Sequence, residues 1–434
     1  MGKGKTATYS PLSQGADGAK GKSFIMTHID DVLEGTTPLL HPFRVCMYTV
    51  RKASSDVRAM RSASALVTAG LAVSIIDIES KRFIQAKKDI CGICVHHIIL
   101  PGWYTSRSFE PYFFVKAVWL LIVSILWLIR ARADIYHAGD LTALPACYIA
   151  AKLRRKPVIL DFYECPIPAP ETDIVFWRWL GWLMVISLGA VLPHCEGVIA
   201  VSPLIAREFQ QRYHLSEVLV LRNILEYCTV AKSDLLRQSL GLSSETRIAL
   251  YQGGIFANRR LDLLVQAAAF LERDNIIVMM GPSDQKTLVH LQRLISRKGV
   301  ADRVKIIPPV PYDELLDWTA SADIGLIVLD PDYSLSIRLS LPNKLFEYLM
   351  AGLPVLSSQL DGVVDILTAY ETGRVVTSLT PTNISTAINR MLRDRDELDR
   401  MHKNAHNAAK ELCWEKEKQQ LIHLYQRILG IQET

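Results

Sequence analysis

The sequence has little excess of charge of either sign. Lysine and arginine total 49 and aspartate and glutamate total 44, so the formal net charge is only +5 over 434 residues. A protein dedicated to nucleic acid normally concentrates a larger basic excess on one surface. The charge balance therefore argues against a nucleic-acid partner, and it is compatible with a phosphorylated substrate or an anionic membrane surface.

The sequence also lacks a cysteine framework and a secretory signal. Its eight cysteines are scattered through the chain without a regular spacing. Disulfide-bonded secreted domains concentrate their cysteines in a short chain, so we expect a reducing, cytoplasmic location. Cys91 and Cys94, followed by His96 and His97, have a C-x-x-C spacing that leaves a redox or zinc site open as an alternative.

A long uncharged apolar run is missing as well. Residues 113–129 form the most apolar stretch, but only about 13 residues after Lys116 are free of charge, whereas about 20 are needed to cross a bilayer. A second aromatic stretch, residues 176–192, is interrupted by Arg178 and Gly181. Trp, Phe and basic residues mixed on such helices are typical of contact with a membrane surface. We therefore expect peripheral attachment through these two stretches, and the alternative is that both are packing helices of the first domain.

The length of the chain and the alternation of strand and helix patterns predict two α/β domains. Residues 44–49, 56–70 and 70–77 read as a strand, a helix and a second strand. We expect four segments: a mobile extension over 1–40, a Rossmann-like domain over 41–225, a second Rossmann-like domain over 226–410, and a C-terminal helix over 411–434 that packs back across both domains.

The most informative stretch is Ser340–Ser357, which reads SLPNKLFEYLMAGLPVLS. Pro342 restrains the chain before a helical run, and a Gly-Leu-Pro turn ends that run before an apolar strand. The start of such a helix offers unpaired N–H groups and the positive end of a dipole, so a diphosphate can bind there beside Lys344. Glu347 lies about one turn further along, where its carboxylate can accept hydrogen bonds from two sugar hydroxyls. The alternative is an ordinary helix-to-strand unit with Glu347 in solvent.

This stretch resembles the donor site of retaining GT-B glycosyltransferases of family 4, the glycosyl transferases group 1. The residues that match are Pro342, Glu347, Ala351, Gly352, Pro354 and Val355. The resemblance implies an α/β protein of GT-B architecture, with two Rossmann-like doubly wound domains facing a cleft. It assigns the acceptor side to the domain over 41–225 and nucleotide-sugar binding to the domain over 226–410. It also implies an enzyme that moves a sugar from a nucleotide diphosphate sugar to a saccharide or lipid-linked acceptor with retention of configuration. Many members carry another Glu eight positions before the matching one, and Leu339 stands there in this chain.

The resemblance assigns roles to individual residues. Arg259 and Lys344 are expected to hold the diphosphate, and Glu347 the ribose. His137 and Asp140 are expected to contact the transferred sugar or the acceptor. Further donor contacts are expected from five residues, namely Gly253, Gly254, Gly281, Pro342 and Asn343. No cofactor and no metal are expected, because Asp330-Pro-Asp332 is interpreted as a turn after a strand.

Three points stay open at this stage. The charged residues after the first strand, Asp56, Arg58 and Arg61, either face the cleft or belong to a helix surface. The chain could be a nucleotide-sugar epimerase or hydrolase of the same fold. It could also be a non-catalytic scaffold that retains the fold, which the missing acid at Leu339 brings into consideration.

Overall fold

The computed structural model describes residues 42–79, 87–105, 112–162 and 188–431, and the structural statements below refer to these residues. The expected mobile extension over 1–40 lies outside them. Most of the second aromatic stretch, from 176 to 187, also lies outside the described residues.

An eight-stranded sheet forms the centre of the first domain. Its strands are β1 Arg44–Tyr48, β2 Ala72–Glu79, β3 Lys87–Ile90, β4 Ile93–Ile99, β5 Ile135–Ala138, β6 Val158–Phe162, β7 Gly197–Ala200 and β8 Leu219–Val220. They lie in the order β3-β4-β2-β1-β5-β6-β7-β8, and each neighbouring pair is parallel except β3 with β4. The helices of this domain are α1 Val57–Thr68, α2 Gly102–Thr105, α3 Phe113–Ala131, α4 Leu144–Arg154 and α5 Pro203–Tyr213.

The apolar character of these strands follows from burial of the sheet on both faces. Met47 and Ile75 pack into one hydrophobic cluster, whereas their neighbours Tyr48 and Ile76 pack into another. Successive side chains of a strand point to opposite faces, so a parallel sheet covered by helices on both sides needs nearly continuous apolar strands.

A six-stranded, fully parallel sheet forms the centre of the second domain. Its strands are β9 Arg247–Gln252, β10 Asn275–Met280, β11 Val304–Ile307, β12 Ile324–Ile327, β13 Val355–Ser358 and β14 Gly373–Val376. The associated helices are α6 Leu235–Leu240, α7 Asp262–Ala267, α8 Gln285–Lys298, α9 Leu315–Thr319, α10 Leu335–Leu339, α11 Asn343–Met350, α12 Asp361–Tyr370 and α13 Pro381–Arg393.

The strand order of the second sheet, β11-β10-β9-β12-β13-β14, reverses direction between β9 and β12. In doubly wound sheets the carboxyl ends of the strands on either side of such a reversal border a binding crevice. The residues after β9 are Gly253 and Gly254. Two doubly wound sheets confirm the fold class predicted from the sequence.

The last two helices are α14 Arg395–Glu411 and α15 Trp414–Leu429. Helix α15 follows the second domain in sequence but packs against α1 of the first domain. The backbone N–H of Trp414 donates to the carbonyl of Leu225 at 2.8 Å. The two segments that cross between the domains therefore lie side by side.

The structure gives the charges after β1 partners that neither of the two alternatives included. Asp56 caps α1 through its side chain. Arg58 is buried and donates to both carboxylate oxygens of Asp161 at 2.7 and 2.9 Å, and to the carbonyl of Leu221 at 2.8 Å. Arg61 donates to the backbone carbonyl of Ile224, three residues after Leu221 in the segment that connects the domains. Both arginines therefore tie α1 to the segment that connects the domains, instead of lying on the helix surface.

Helix α11 is fixed to the second sheet by Tyr348, whose side chain is fully buried. Its hydroxyl donates to the carbonyl of Leu250 at 3.0 Å and accepts from the N–H of Gln252 at 2.9 Å. The ring lies against Gly325 on β12, where an added Cβ would be 2.4 Å from the ring. Only glycine at this position leaves room for the ring.

We expect Gly325→Ala to destabilise the second domain by about 1–3 kcal/mol, because an added methyl group overpacks a tightly filled site. Urea unfolding followed by fluorescence measures the change. Gly189→Ala is the control, since its Cβ would meet the nearest atom at 3.8 Å in a helix. Equal stability of the two variants would show that Tyr348 can move without cost.

Candidate functional site

The loops after β9 and β10 meet the start of α11 at the carboxyl end of the second sheet. Gly253 and Gly281 have φ angles of +126° and +151°. A Cβ on Gly281 would lie 2.1 Å from the carbonyl oxygen of Gly253, and a Cβ on Gly253 would lie 3.2 Å from Nζ of Lys344. Glycine is required where backbones approach this closely. The structure thus brings together three residues that the sequence analysis selected separately.

A desolvated amine lies beneath this glycine loop. Nζ of Lys344 is 3.9 Å from the centroid of the Tyr251 ring, which is within the range of a cation–π interaction. The hydroxyl of Tyr251 donates to the carbonyl of Gly254 at 2.9 Å. Desolvation, together with the positive charge of Arg259, lowers the pKa of Lys344 to about 7, and the negative charge of Glu347 acts in the opposite direction.

The carboxylate of Glu347 faces the same space. Its Oε2 accepts a hydrogen bond from the side-chain amide of Gln252. Burial raises the pKa of Glu347, and the Gln252 hydrogen bond and the charge of Lys344 oppose that rise. Lys344 therefore interacts electrostatically with both Arg259 and Glu347, which places the three residues in one cluster.

Arg259 and Arg260 point in different directions. Arg260 adopts a left-handed backbone conformation with φ +52° and pairs with Asp330 at 3.3 Å on the exposed side. Arg259 is half-buried, and its charge acts on Lys344 and Tyr251. Only Arg259 of this pair belongs to the cluster.

Pro342 and Asn343 occupy the first positions of α11. Pro342 is the N-cap residue, with an extended conformation, and its carbonyl accepts from the N–H of Leu345 at 2.9 Å. The Oδ1 of Asn343 accepts from the amide of Asn223 at 3.1 Å, and Asn223 lies in the segment that connects the domains. This end of the site therefore touches the connection between the domains.

Leu339, which stands where many family members have the additional Glu, lies between the two domains. Its side chain is partly buried against the hydrophobic core of the first domain. Its carbonyl accepts a hydrogen bond from the hydroxyl of Ser202, the N-cap residue of α5, at 2.7 Å. In this chain the position contributes an apolar contact between domains.

The structure does not bring His137 to this cluster. The side chain is 1% exposed, its Nδ1 is 2.7 Å from the hydroxyl of Tyr425 on α15, and the two rings are stacked. Burial lowers the pKa of His137 to about 4, and the nearby carboxylate of Asp161 opposes this effect. The ring is enclosed by these contacts, and the role assigned to His137 stays a prediction.

Asp140 lies in the turn before α4. Its Oδ1 accepts from the N–H of Ala143 at 2.8 Å and from the hydroxyl of Thr142 at 2.6 Å. These contacts are those of a residue that shapes a helix start. The expected contact between Asp140 and a sugar is likewise a prediction.

The C-x-x-C segment forms a hairpin turn. Cys91 has φ +53°, and Sγ of Cys94 lies 3.2 Å from Nε2 of His96. His97 points elsewhere and pairs with Asp77 at 2.5 Å. Within the described ranges, no group of three or more His, Cys, Asp or Glu side chains is arranged to hold a metal ion.

The sequence analysis missed two buried polar residues behind Glu347. Gln252 is the last residue of β9, and Thr319 is the last residue of α9. The signal that could have found Gln252 is a lone polar residue that ends an otherwise apolar strand directly before a glycine pair. Thr319 has no comparable signal, because its neighbour Gln252 is 67 residues away in sequence.

Two doubly wound domains with a glycine-lined, cationic site at the switch point of the second sheet define the GT-B architecture. Comparison with known proteins supports the same architecture. The family model described as Glycosyl transferases group 1 matches residues 232–408, and the model described as Glycosyltransferase Family 4 matches residues 56–224. The chain belongs to the GT-B glycosyltransferases of family 4, as the resemblance predicted.

Curated relatives share one part of the chain. D-inositol 3-phosphate glycosyltransferase 2 from Catenulispora acidiphila is 30% identical over 188 residues, which cover 41% of this chain and 42% of the relative. D-inositol 3-phosphate glycosyltransferase from Streptomyces coelicolor is 30% identical over 189 residues, which cover 41% of this chain and 40% of the relative. The chain therefore matches only about two fifths of the length of these relatives.

Solved structures resemble nearly the whole chain in fold. Sucrose-phosphate synthase from Thermosynechococcus elongatus has a TM-score of 0.72 at 16% identity, covering 90% of this chain and 100% of that chain. HepE from Anabaena, in complex with UDP and glucose, has a TM-score of 0.63 at 14% identity, covering 89% of this chain and 98% of that chain. At these identities the likeness shows the fold.

Lys344→Met tests how strongly the fold desolvates the amine. The pKa of about 7 in the folded state lies below the ordinary value of 10.5, so the unfolded state binds more protons between these values and wild-type stability rises with pH there. The change is at most about 1.4 kcal/mol per pH unit. Lys344→Met should therefore exceed the wild type in unfolding free energy most at and below pH 7, and the excess should shrink as the pH rises towards 10.5. An excess that does not vary with pH would show that the amine is hydrated.

Proposed function

We propose that the protein transfers a sugar from a nucleotide diphosphate sugar to a saccharide or lipid-linked acceptor with retention of anomeric configuration. The observation that carries the proposal is the convergence of Arg259, Lys344 and Glu347 beside a glycine-lined backbone loop. Membership of family 4 supports transfer from such a donor. The structural neighbour HepE was solved with UDP and glucose, which supports a nucleoside diphosphate as the common part of the donor.

The proposed chemistry depends on charge that is already in place before the donor arrives. As the bond between sugar and diphosphate breaks, negative charge grows on the departing diphosphate, and Arg259 and Lys344 stabilise it together with the backbone N–H groups at the start of α11. Glu347 accepts hydrogen bonds from the ribose hydroxyls and so fixes the orientation of the donor. The proposal includes no metal ion or other cofactor.

The acceptor is proposed only as a chemical class. The names of the curated relatives refer to D-inositol 3-phosphate, but those proteins match about two fifths of this chain. A saccharide or lipid-linked acceptor rests on the family resemblance and on the apolar surface of the first domain described below.

Glu347→Ala should weaken donor binding and turnover by about 10- to 100-fold, because hydrogen bonds to a charged group contribute about 1.5–3 kcal/mol. The measurement is release of nucleoside diphosphate from a panel of nucleotide sugars, together with calorimetric binding of UDP, GDP and ADP. Glu245→Ala, which removes an exposed carboxylate outside the site, is the control. Unchanged turnover at limiting donor in a folded Glu347→Ala protein would reject the assigned role.

We also propose that the first domain contacts the cytoplasmic face of a membrane through α3. Four large apolar side chains, spaced four residues apart along one face, are 46–55% exposed: Phe114, Val118, Ile122 and Leu126. By length and composition the 19-residue helix is sufficient to cross a membrane, and 11% of it is buried in the protein. The sequence analysis had expected the apolar run to be too short for a span.

The opposite face of α3 supports contact with the membrane surface in place of a span. Ser124 and Leu128 are buried, and the hydroxyl of Ser124 is 2.6 Å from that of Tyr48 on β1. A helix held along the domain in this way can insert only its outer face into lipid. The neighbouring α4 adds exposed Ile149 and Leu153 beside a basic end. The basic residues there are Lys152, Arg154, Arg155 and Lys156, and they favour anionic lipid headgroups.

The double variant Val118→Asp, Ile122→Asp should lose binding to vesicles that contain phosphatidylglycerol, because two charges would have to enter the apolar boundary of the bilayer. Co-sedimentation at low and high salt measures the binding. Phe270→Asp changes a residue in the second domain that is 55% exposed, and it should bind vesicles as the wild type does. Equal loss in both variants, or no vesicle binding by the wild type, would contradict the proposed surface.

A further inference from the structure

Two buried polar side chains stand behind Glu347, and the proposed chemistry makes no use of them so far. Gln252 is 3% exposed and Thr319 is fully buried. The side-chain amide of Gln252 contacts Oε2 of Glu347 at one end, and its Oε1 lies 2.5 Å from Oγ1 of Thr319 at the other. Oγ1 of Thr319 is also 2.6 Å from the backbone carbonyl of Leu315. These contacts form a continuous chain of hydrogen bonds from a helix backbone to the carboxylate.

The hydroxyl of Thr319 has one proton and two acceptors within reach. When that proton is donated to Oε1 of Gln252, the amide N–H of Gln252 points at Glu347 and donates to its Oε2, which stabilises the ionised carboxylate. When the proton is donated to Leu315 instead, Oγ1 of Thr319 becomes an acceptor and the amide must turn over. The amide oxygen then faces Glu347, which has to carry a proton. The heavy-atom positions are the same in both arrangements.

We propose that Thr319 and Gln252 are positioning residues that select between these two arrangements and hold Glu347 as an ionised carboxylate directed at the donor. The inference rests on the proposed function, because it assigns to this chain of hydrogen bonds the preparation of Glu347 for the ribose hydroxyls. An ionised carboxylate can accept from both hydroxyls at once, whereas a protonated carboxyl gives up part of its acceptor capacity.

The surroundings of Glu347 act on its protonation in opposite directions, so the polarity of the hydrogen bond from Gln252 matters. Burial favours the neutral acid, and two tyrosines, Tyr348 on the same helix and Tyr312 in the loop after β11, lie near enough to interact with Glu347 electrostatically. Lys344 favours the ionised form, but its own charge is weakened by burial and by Arg259. These influences oppose one another, and the hydrogen bond from Gln252 adds to those that favour the ionised form.

The test uses two substitutions of one residue in the full chain. Thr319→Val keeps the shape of the side chain but removes the hydroxyl, and Thr319→Ser restores the hydroxyl. Thr372→Val is the matched control, because Thr372 is fully buried in the same domain and its hydroxyl has no hydrogen-bond partner among the residues that the structure describes. Should Thr319→Val fail to fold, Gln252→Met interrupts the same chain of hydrogen bonds one step later.

The first readout compares calorimetric affinities for UDP and for 2′,3′-dideoxy-UDP across a range of pH, with the matching GDP and ADP pairs as further probes. We expect the wild type and Thr319→Ser to bind the ribose form about tenfold tighter than the dideoxy form at neutral pH, in line with one charge-assisted hydrogen bond. Thr319→Val should bind the dideoxy form as the wild type does, lose the preference for ribose at neutral pH, and regain it as the pH rises. A preference for ribose in Thr319→Val equal to that of the wild type at every pH would overturn the proposal.

The second readout needs no ligand. Infrared difference spectroscopy follows the carbonyl band of a protonated carboxyl, and its loss in Glu347→Gln assigns the band to Glu347. We expect the band to persist to higher pH in Thr319→Val than in the wild type, in Thr319→Ser and in Thr372→Val. An unshifted band in Thr319→Val overturns the inference. A shifted band in a protein that binds none of the three nucleoside diphosphates supports the hydrogen-bond chain and refutes the proposed function, so the two failures are distinguishable.

Discussion

The hydroxyl of Tyr348 is the contact on which the geometry of the donor site depends. It binds backbone groups of β9 and thereby sets the distance between that strand and α11. Lys344 and Glu347 lie on the same short helix, four residues and one residue before Tyr348, so their direction follows from this contact. Gly325 permits it, because the ring occupies the space that a side chain on β12 would need. The polar site is thus held in place by Tyr348, a side chain that is itself fully buried.

Burial places opposite demands on the two charged residues of that helix. It lowers the pKa of Lys344 and raises that of Glu347, so it opposes the charged form of each. A site in this condition gains more from an anionic ligand than a hydrated one does, since the ligand supplies the missing opposite charge where water is excluded. The negative charge of the proposed leaving group would stabilise the charged form of Lys344. The chain of hydrogen bonds through Gln252 and Thr319 would stabilise the charged form of Glu347.

The connection between the domains shows where inference from sequence fell short. Arg58 was assigned either to the cleft or to a helix surface, and it is instead buried against Asp161, 103 residues away. His137 was selected as a residue at a strand end, but its ring is covered by Tyr425, 288 residues away. Patterns of neighbouring residues carry no information about such partners. The first contact joins α1 to β6, and the second forms only when α15 returns to the first domain. The sequence showed that α3 is apolar, but it did not show which side of the helix stays exposed in the folded protein.

The sequence by itself determined the two doubly wound domains, the family and the cluster of Arg259, Lys344 and Glu347. These depend on local signals: apolar strands at regular intervals, glycines where backbones approach, and a proline before a helix start. Only the tertiary structure decided that Leu339 faces the other domain, that Arg260 turns away, and that Gln252 and Thr319 stand behind Glu347. The physical reason is that the direction of a side chain, the loss of its water and the partner it meets are set by packing between segments far apart in the chain.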